Sequence, residues 1–114
     1  LCGLLGVWDG QDTGTAAAMR EAGMQDQVYL VSSGGGNKAA ACDNIENDNF
    51  DAYFSYDVPG QARDLNAAVK ILLQTKPEPG SAPFALYTPL KRITKDTLTP
   101  SSCWTLEELK QFGG

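Results

Sequence analysis

The chain lacks histidine entirely and has only three cysteines among its 114 residues, at Cys2, Cys42 and Cys103. Histidine is the commonest general base and a frequent zinc ligand, so its absence excludes histidine-based catalysis within this chain. The cysteines form neither a CxxC pair nor a cluster with the spacing of metal ligands. We therefore predict no metal site, and we assign no catalytic residue because nothing else completes a catalytic set.

Long apolar runs and an excess of basic charge are missing as well. No segment approaches the roughly 20 apolar residues that a membrane-spanning helix requires. Fourteen acidic residues stand against 9 basic ones, a net charge of −5 without a basic cluster. We therefore expect no binding of nucleic acid by this domain. At 42% hydrophobic and 20% charged, the chain is apolar enough to bury one core and is typical of a globular domain.

Four short runs rich in apolar, β-branched and aromatic residues predict strands. They are GLLGVW (3–8), QVYLV (27–31), DAYFSY (51–56) and FALYT (84–88). Tyr53, inside the third run, is assigned to packing. Helices are predicted between the runs, over 13–22, 37–47 and 59–76. The third helix has an apolar stripe at helical spacing, formed by Ala62, Leu65, Val69 and Leu72.

The resulting order, β-α-β-α-β-α-β, predicts an α/β fold. It indicates a doubly wound parallel sheet with right-handed crossovers and helices on both faces. We assign this core to residues 1–88. The segment 89–114 is polar and interrupted by Pro89 and Pro100, so we expect it to leave the sheet as a tail with a short helix over 106–111.

Function is expected at the three junctions where a strand runs into a helix. They read WDGQDTG (8–14), SSGGGN (32–37) and YDVPGQ (56–61). Ligands of a doubly wound sheet bind beyond the carboxyl ends of its strands, so all three junctions should lie on one rim. Carboxylates, hydroxyls and aromatic faces at that rim suit a polar, hydroxylated small molecule.

Each candidate side chain at the rim also has a purely structural interpretation. Asp57 can cap the third helix, and Asp9 and Asp12 can each favour the positive end of the first helix dipole. Trp8 and Tyr56 both stand at a strand end. Each of these two aromatics therefore either lines a pocket or closes the sheet edge.

The glycine loop VSSGGGNK (31–38) raises the possibility of a phosphate site. A P-loop requires GxxxxGK[ST], but Asn37 separates Gly36 from Lys38, and Ala39 occupies the hydroxyl position. The dinucleotide fingerprint GxGxxG is met only in its first half, because Ala39 stands where the third glycine would fall. We therefore predict no cofactor, although backbone N–H groups at a helix start can bind an anion without a motif.

Four segments follow one another in an order that matches a known family. They are GVWDGQDTGTAAAMREAG, QVYLVSSGGGN, the stretch from IENDNF to AAVKILL, and FALYTPLKRITKDTL. This order resembles the C-terminal half of the type I periplasmic binding proteins, the ribose-binding-protein-like sugar receptors of bacterial ABC importers. The last segment is similar to the family's exit across the hinge, with Thr97 where Asn is usual. The resemblance covers roughly residues 3–98.

The resemblance implies a non-enzymatic receptor whose two lobes close on a sugar or related polyol and then dock onto a membrane permease. This chain would be part of the C-terminal lobe, and the abrupt start without Met fits a piece of a longer protein. The family's ligand positions fall on Trp8 and Asp9 in the first loop, on Ser33 and Gly34 in the second, and on Tyr56 in the third. Only Asp9 keeps the family's chemistry.

Further expectations follow from this resemblance. Gly34 stands where the family has an acid. Either the solute is not a simple pentose or hexose, or neighbouring Asp12, Ser32 and Asn37 take over the role of that acid. The segment 89–114 would include the hinge crossing. The whole protein would carry a signal peptide and be periplasmic, or membrane-anchored and extracytoplasmic. A disulfide between the second-helix cysteine and the tail cysteine would suit that oxidising compartment.

Two alternatives remain open from the sequence. The same fold forms the effector-sensing half of lac-repressor-type transcription regulators. The second alternative is an α/β enzyme that binds a phosphorylated substrate on SSGGGN, with Asp9 as the only reasonable base. Under the two-lobe interpretation, the sheet should expose an edge where the missing strands belong, and self-association through that edge is a further expectation.

Overall fold

A computed structural model describes residues 1–81 and 85–112. Its centre is a four-stranded sheet in which the strands lie side by side in chain order. β1, β2 and β3 are parallel, and β4 is antiparallel to β3. The strands are β1 (Gly3–Leu5), β2 (Tyr29–Gly34), β3 (Ala52–Ser55) and β4 (Lys91–Thr94). The chain is therefore α/β with a mostly parallel sheet, as the segment order predicts.

The helices differ from their predicted bounds mainly in where they start. α1 (Asp9–Glu21) begins four residues earlier than predicted, because Asp9 and Asp12 both occupy its first turn, where the helix dipole favours carboxylates. The second helical segment is a π-helical turn, Lys38–Cys42, followed by α2 (Asp43–Glu46). α3 (Val58–Thr75) and α4 (Leu106–Phe112) lie close to the predicted ranges.

The predicted fourth strand over 84–88 is wrong for the residues that the structure describes. Residues 85–90 have no regular secondary structure, and Tyr87 is 92% exposed; Phe84 lies outside the described residues. The fourth strand is instead β4, whose Ile93 pairs with Tyr53 of β3. Ile93 is the only fully buried residue of β4, so this edge strand has a weak apolar signal in the sequence. Because β4 is antiparallel, the fully parallel sheet that we predicted is also incorrect.

The core lies on one face of the sheet. Residues from α1 and from the π-helical turn and α2 pack there against the central strands. Two right-handed crossovers between strands in chain order place both helical segments on the same side. The buried cluster comprises Ala16, Met19, Val28, Leu30, Ala41, Ile45, Phe50, Tyr53 and Ile93. The predicted helix layer on the second face is not found among the described residues, because α3 has no extensive contact with any strand of the sheet.

The segment after β4 returns to the sheet rather than leaving it. A disulfide joins Cys42 to Cys103, which confirms that pairing, and Cys2 is free and exposed. Next to it, Trp104 pairs in parallel with Asn37 of the glycine loop. Among the described residues, no helix is long and apolar enough to cross a membrane.

Candidate functional site

The three strand-to-helix junctions lie at the same end of the sheet, because β1, β2 and β3 run parallel. Trp8 is the N-cap residue of α1 and is 61% exposed. Its indole ring lies against Gly10, where a Cβ atom would come within 2.8 Å of the ring. Trp8 therefore presents an aromatic surface at the rim, held against the first turn of its own helix.

Asp9 lies in a buried hydrogen-bonded group on the helix-covered side of the sheet. The hydroxyl of Tyr53 donates to Asp9 Oδ2 at 2.7 Å and accepts from the Gly36 backbone N–H at 3.2 Å. Among the hydrogen bonds of the described residues, none uses Asp9 Oδ1. Burial, and then the hydrogen bond to Asp9, raise the pKa of Tyr53, so its hydroxyl remains a donor at neutral pH.

Gly34 completes this group, because only glycine fits there. A Cβ atom at position 34 would lie 2.2 Å from Asp9 Oδ2 and 2.4 Å from the Tyr53 hydroxyl. The space that a side chain at position 34 would need is thus already filled by the Asp9 carboxylate and the Tyr53 hydroxyl. This close approach is a tertiary contact that the sequence alone did not reveal.

Asp12, predicted as a ligand residue, is placed in a separate buried pair. Ser32 donates its hydroxyl hydrogen to Asp12 Oδ2 at 2.5 Å, and both side chains are buried. A Cβ atom at Gly6 would lie 2.0 Å from the same carboxylate. This placement favours a structural role for Asp12 that ties α1 to β2.

Ser33 and Tyr56 form a third group on the opposite side of the sheet. Their hydroxyl oxygens are 2.7 Å apart. Both hydroxyls can donate to the Val7 carbonyl, at 2.9 Å from Ser33 and 3.3 Å from Tyr56. Side chains alternate along a strand, so Ser33 faces away from Ser32 and from the core. The structure therefore brings Ser33 and Tyr56 together, but it separates them from Asp9 by the thickness of the sheet.

Three amides in and just after the glycine loop are engaged by protein acceptors. Gly36 donates to Tyr53, Lys38 donates to the Trp104 carbonyl at 2.8 Å, and Ala40 donates to Asn37 Oδ1 at 2.9 Å. Amides that point at internal acceptors cannot also bind an anion. These three amides are therefore not free to hold a phosphate.

Trp104 contacts the glycine loop, and the sequence analysis did not predict this contact. Its indole Nε1 donates to the Gly35 carbonyl at 2.8 Å, and its backbone N–H donates to the Gly36 carbonyl at 3.2 Å. The only signal in the sequence is its position next to Cys103, whose disulfide brings the tail to the loop. The tail therefore fixes the conformation of the glycine loop, in which Gly36 has φ +80°.

A cavity of about 680 Å³ lies between the end of β3 and α4, and Trp104 is part of its lining. Its lining carries charges of both signs, and its polar and charged residues include Ser55, Asp57, Arg63, Lys91 and Glu108. None of the six predicted ligand residues lines it. Among the described residues, no three acidic or cysteine side chains converge as a metal site would require.

No protein-family model matches this chain, and no match is found among curated proteins or among solved structures.

Replacing Tyr53 by Phe should lower the free energy of unfolding at neutral pH by about 1–3 kcal/mol, because Asp9 and the Gly36 amide both lose their buried partner. The pKa of Tyr53 is raised in the folded state. The stabilisation that Tyr53 gives the folded state is therefore complete below the ordinary tyrosine pKa of about 10. It is lost as pH rises through the pKa that Tyr53 has in the folded protein.

Urea denaturation from neutral to alkaline pH measures both effects. The stability of the wild type should fall above about pH 10, and that of Tyr53→Phe should fall less. Tyr87→Phe, at a residue that is 92% exposed, is the control and should follow the wild type. If the free energy of unfolding changed equally with pH in the wild type and in Tyr53→Phe, the Tyr53 hydroxyl would not be the buried partner of Asp9.

Proposed function

We propose that the chain is part of the C-terminal, doubly wound lobe of a solute receptor of a bacterial ABC importer. The receptor would bind a sugar or related polyol between two lobes, and its closed form would dock onto a membrane permease. Two observations support the proposal: the resemblance in segment order described above, and the arrangement of acceptors and donors at the rim.

The orientation of Asp9 is the observation that carries most of the argument. Tyr53 holds Asp9 Oδ2, and the other carboxylate oxygen has no donor among the described residues. A fixed carboxylate with one available oxygen is suited to accept a hydrogen bond from a ligand hydroxyl. Trp8, exposed beside Asp9 at the N-cap of α1, would cover the apolar face of a sugar ring.

Ser33 and Tyr56 extend the same proposal to the opposite side of the rim. Their paired hydroxyls both act as donors and acceptors, which suits a ligand with several hydroxyl groups. A ligand that reaches both Asp9 and this pair would have to pass over the end of β2. A second lobe that closes over the rim would supply the remaining contacts.

The disulfide favours the importer over the regulator. Structural disulfides persist in the periplasm and outside the cell, and they are rare in the cytosol. Cys42 and Cys103 are joined in this chain, whereas a lac-repressor-type regulator acts on DNA in the reducing cytosol. We therefore propose a periplasmic, or membrane-anchored extracytoplasmic, location.

Calorimetric titration of the complete two-lobed protein with a panel of pentoses, hexoses and polyols tests the proposal. Asp9→Asn keeps the shape of the side chain but removes its charge, so the affinity for the sugar that binds should fall about 10- to 100-fold. Asp26→Asn, at an exposed acid before β2 and away from the rim, is the control and should bind like the wild type.

The isolated chain gives a second, independent check. With half of the cleft absent, it should bind the same sugar weakly or not at all. Tight binding by this chain alone would contradict the two-lobe interpretation. If Asp9→Asn left the sugar affinity of the complete protein unchanged, Asp9 would not be the residue that accepts a hydrogen bond from the sugar.

A further inference from the structure

A buried hydroxyl lines the cavity between the end of β3 and α4, and its hydrogen has no acceptor among the described residues. Ser55 is 4% exposed and is part of the cavity lining. Its Oγ accepts a hydrogen bond from the Asp57 backbone N–H at 3.3 Å, and Ser55 donates none to the described residues. A Cβ atom at Gly36 would lie 2.1 Å from this Oγ, so a larger residue there would collide with it. Buried hydroxyls normally donate, so Ser55 has a hydrogen available for a ligand in the cavity.

Four charged side chains line the same cavity without pairing with one another. Asp57 and Glu108 are acidic, and Arg63 and Lys91 are basic. Both ion pairs found among the described residues involve other side chains. The four charges sum to zero, and none of them is neutralised by an ion pair. Such a set is suited to a ligand that carries charges of both signs.

Three of these side chains keep hydrogen-bonding capacity that the protein does not use. Lys91 donates to two backbone carbonyls of the tail, at 3.2 Å and 3.4 Å, so one hydrogen of its ammonium group remains. Arg63 is exposed and makes neither a hydrogen bond nor an ion pair with the described residues. Glu108 Oε2 accepts from the Thr105 backbone N–H at 2.9 Å, whereas Oε1 has no donor among those residues. Each of the three can therefore bind a charged group of a ligand.

The register of β3 and β4 places one of the cations beside the buried hydroxyl. Ser55 and Lys91 are directly paired across the two strands, so their side chains point to the same face and start about 4.5–5.5 Å apart. Arg63 adds a guanidinium group to the same cavity, and guanidinium groups bind carboxylates through two parallel hydrogen bonds. Together these groups suit the carboxylate of a ligand.

The tail supplies a second acidic group and an apolar surface. Glu108 and Leu109 of α4 line the cavity together with Trp104. The Trp104 ring is held in place because its Nε1 donates to the Gly35 carbonyl at 2.8 Å. A carboxylate can bind an ammonium group, and a fixed aromatic ring can pack against an apolar side chain. The tail therefore complements the other two parts of an amino acid.

We propose that this cavity is a binding site for a small zwitterion with an apolar side chain, of the class of the free α-amino acids. Ser55, Lys91 and Arg63 bind the ligand carboxylate, and Glu108 and Asp57 bind its ammonium group. A purely anionic ligand would meet two carboxylates, and a purely cationic one would meet two cations. The site thus discriminates against ligands of a single charge.

The site is separate from the rim and is complete in one chain. None of the six predicted ligand residues lines it. Its volume of about 680 Å³ falls within the range of about 300–1,000 Å³ that is usual for small-molecule sites. The proposal therefore depends neither on a second lobe nor on sugar binding, and the isolated chain should bind its ligand.

Calorimetric titration of the chain with matched ligands tests the proposal. Leucine and phenylalanine are the zwitterions; their N-acetyl derivatives keep only the carboxylate, and their amides keep only the ammonium group. Each derivative should bind about 10- to 100-fold more weakly than its parent amino acid, because it loses a charge-assisted hydrogen bond. The proposal is overturned if neither amino acid binds with a Kd below roughly 10 mM, or if a derivative binds as tightly as its parent.

Two pairs of variants test which side chains bind the ligand. Arg63→Gln and Glu108→Gln should each weaken amino-acid binding about 10-fold. Arg92→Gln and Glu107→Gln are the matched controls, because neither residue lines the cavity, and they should bind like the wild type. All four positions are exposed, so each variant should keep the fold.

A double comparison then identifies the partner of the ligand ammonium group. In Glu108→Gln, N-acetylation of the amino acid should weaken binding less than it does in the wild type, because the carboxylate partner is already gone. If N-acetylation weakened binding equally in both proteins, Glu108 would not contact the ammonium group and the site as assigned would be wrong. Neither result bears on sugar binding at the rim, which is measured on the complete protein.

Discussion

Removal of the Cys42–Cys103 disulfide should lower the free energy of unfolding by about 4 kcal/mol, which is a large part of the stability of a domain of this size. The bond joins residues 61 positions apart, so it removes a large amount of conformational entropy from the unfolded chain. It also holds Trp104 against the glycine loop, and this contact should loosen when the bond is lost.

The measurement is urea denaturation of the double variant Cys42→Ala with Cys103→Ala. Cys2→Ala is the matched control, because Cys2 is exposed and free, and it should unfold like the wild type. Hydrogen exchange of the Lys38 amide adds a local readout, since its acceptor is the Trp104 carbonyl. Identical denaturation midpoints for the double variant and the wild type would refute the structural role of this bond.

Replacing Gly34 by Ala should destabilise the fold by about 3 kcal/mol, at the upper end of the usual cost of overpacking. The new Cβ would lie 2.2 Å from Asp9 Oδ2 and 2.4 Å from the Tyr53 hydroxyl, so the buried pair has to move apart. In the complete protein the same change should weaken sugar binding under the proposed function, because Asp9 loses its fixed orientation.

Gly14→Ala is the matched control for this substitution. Gly14 lies inside α1, and an added Cβ has no atom within 4 Å. Alanine there should stabilise the chain by about 0.5–1 kcal/mol, because glycine is a poor helix former. Thermal or urea unfolding of both variants should therefore give shifts of opposite sign. A Gly34→Ala variant as stable as the wild type would show that the space beside Asp9 is open.

The difference between these glycines shows what sequence reasoning can and cannot reach. Gly14 falls inside a predicted helix and Gly34 in the glycine loop, but the sequence does not show which of the two positions has space for a side chain. The contact of Gly34 with Asp9 joins residues that are distant in the chain, so it exists only after β1 and β2 pair. The hydroxyl role of Tyr53 was missed for the same reason, since its position within a strand predicts packing alone.

The strands and helices show the same division. α3 was predicted almost to the residue, because Asp57 and Pro59 at its start and Pro77 at its end are local signals. β4 was missed because its place in the sheet depends on pairing with β3 and on a single buried side chain, Ile93. The apolar run before it gave a stronger local signal than the strand itself.

The sequence by itself determined the α/β class, the first three strands, the apolar stripe of α3 and the absence of histidine chemistry. These properties depend on composition and on the short-range periodicity of side chains. Only the tertiary structure decided the direction of β4, the separation of Asp9 from Ser33 and Tyr56, and the reason for glycine at position 34. Each of these depends on contacts between segments distant in the chain, which no local pattern records.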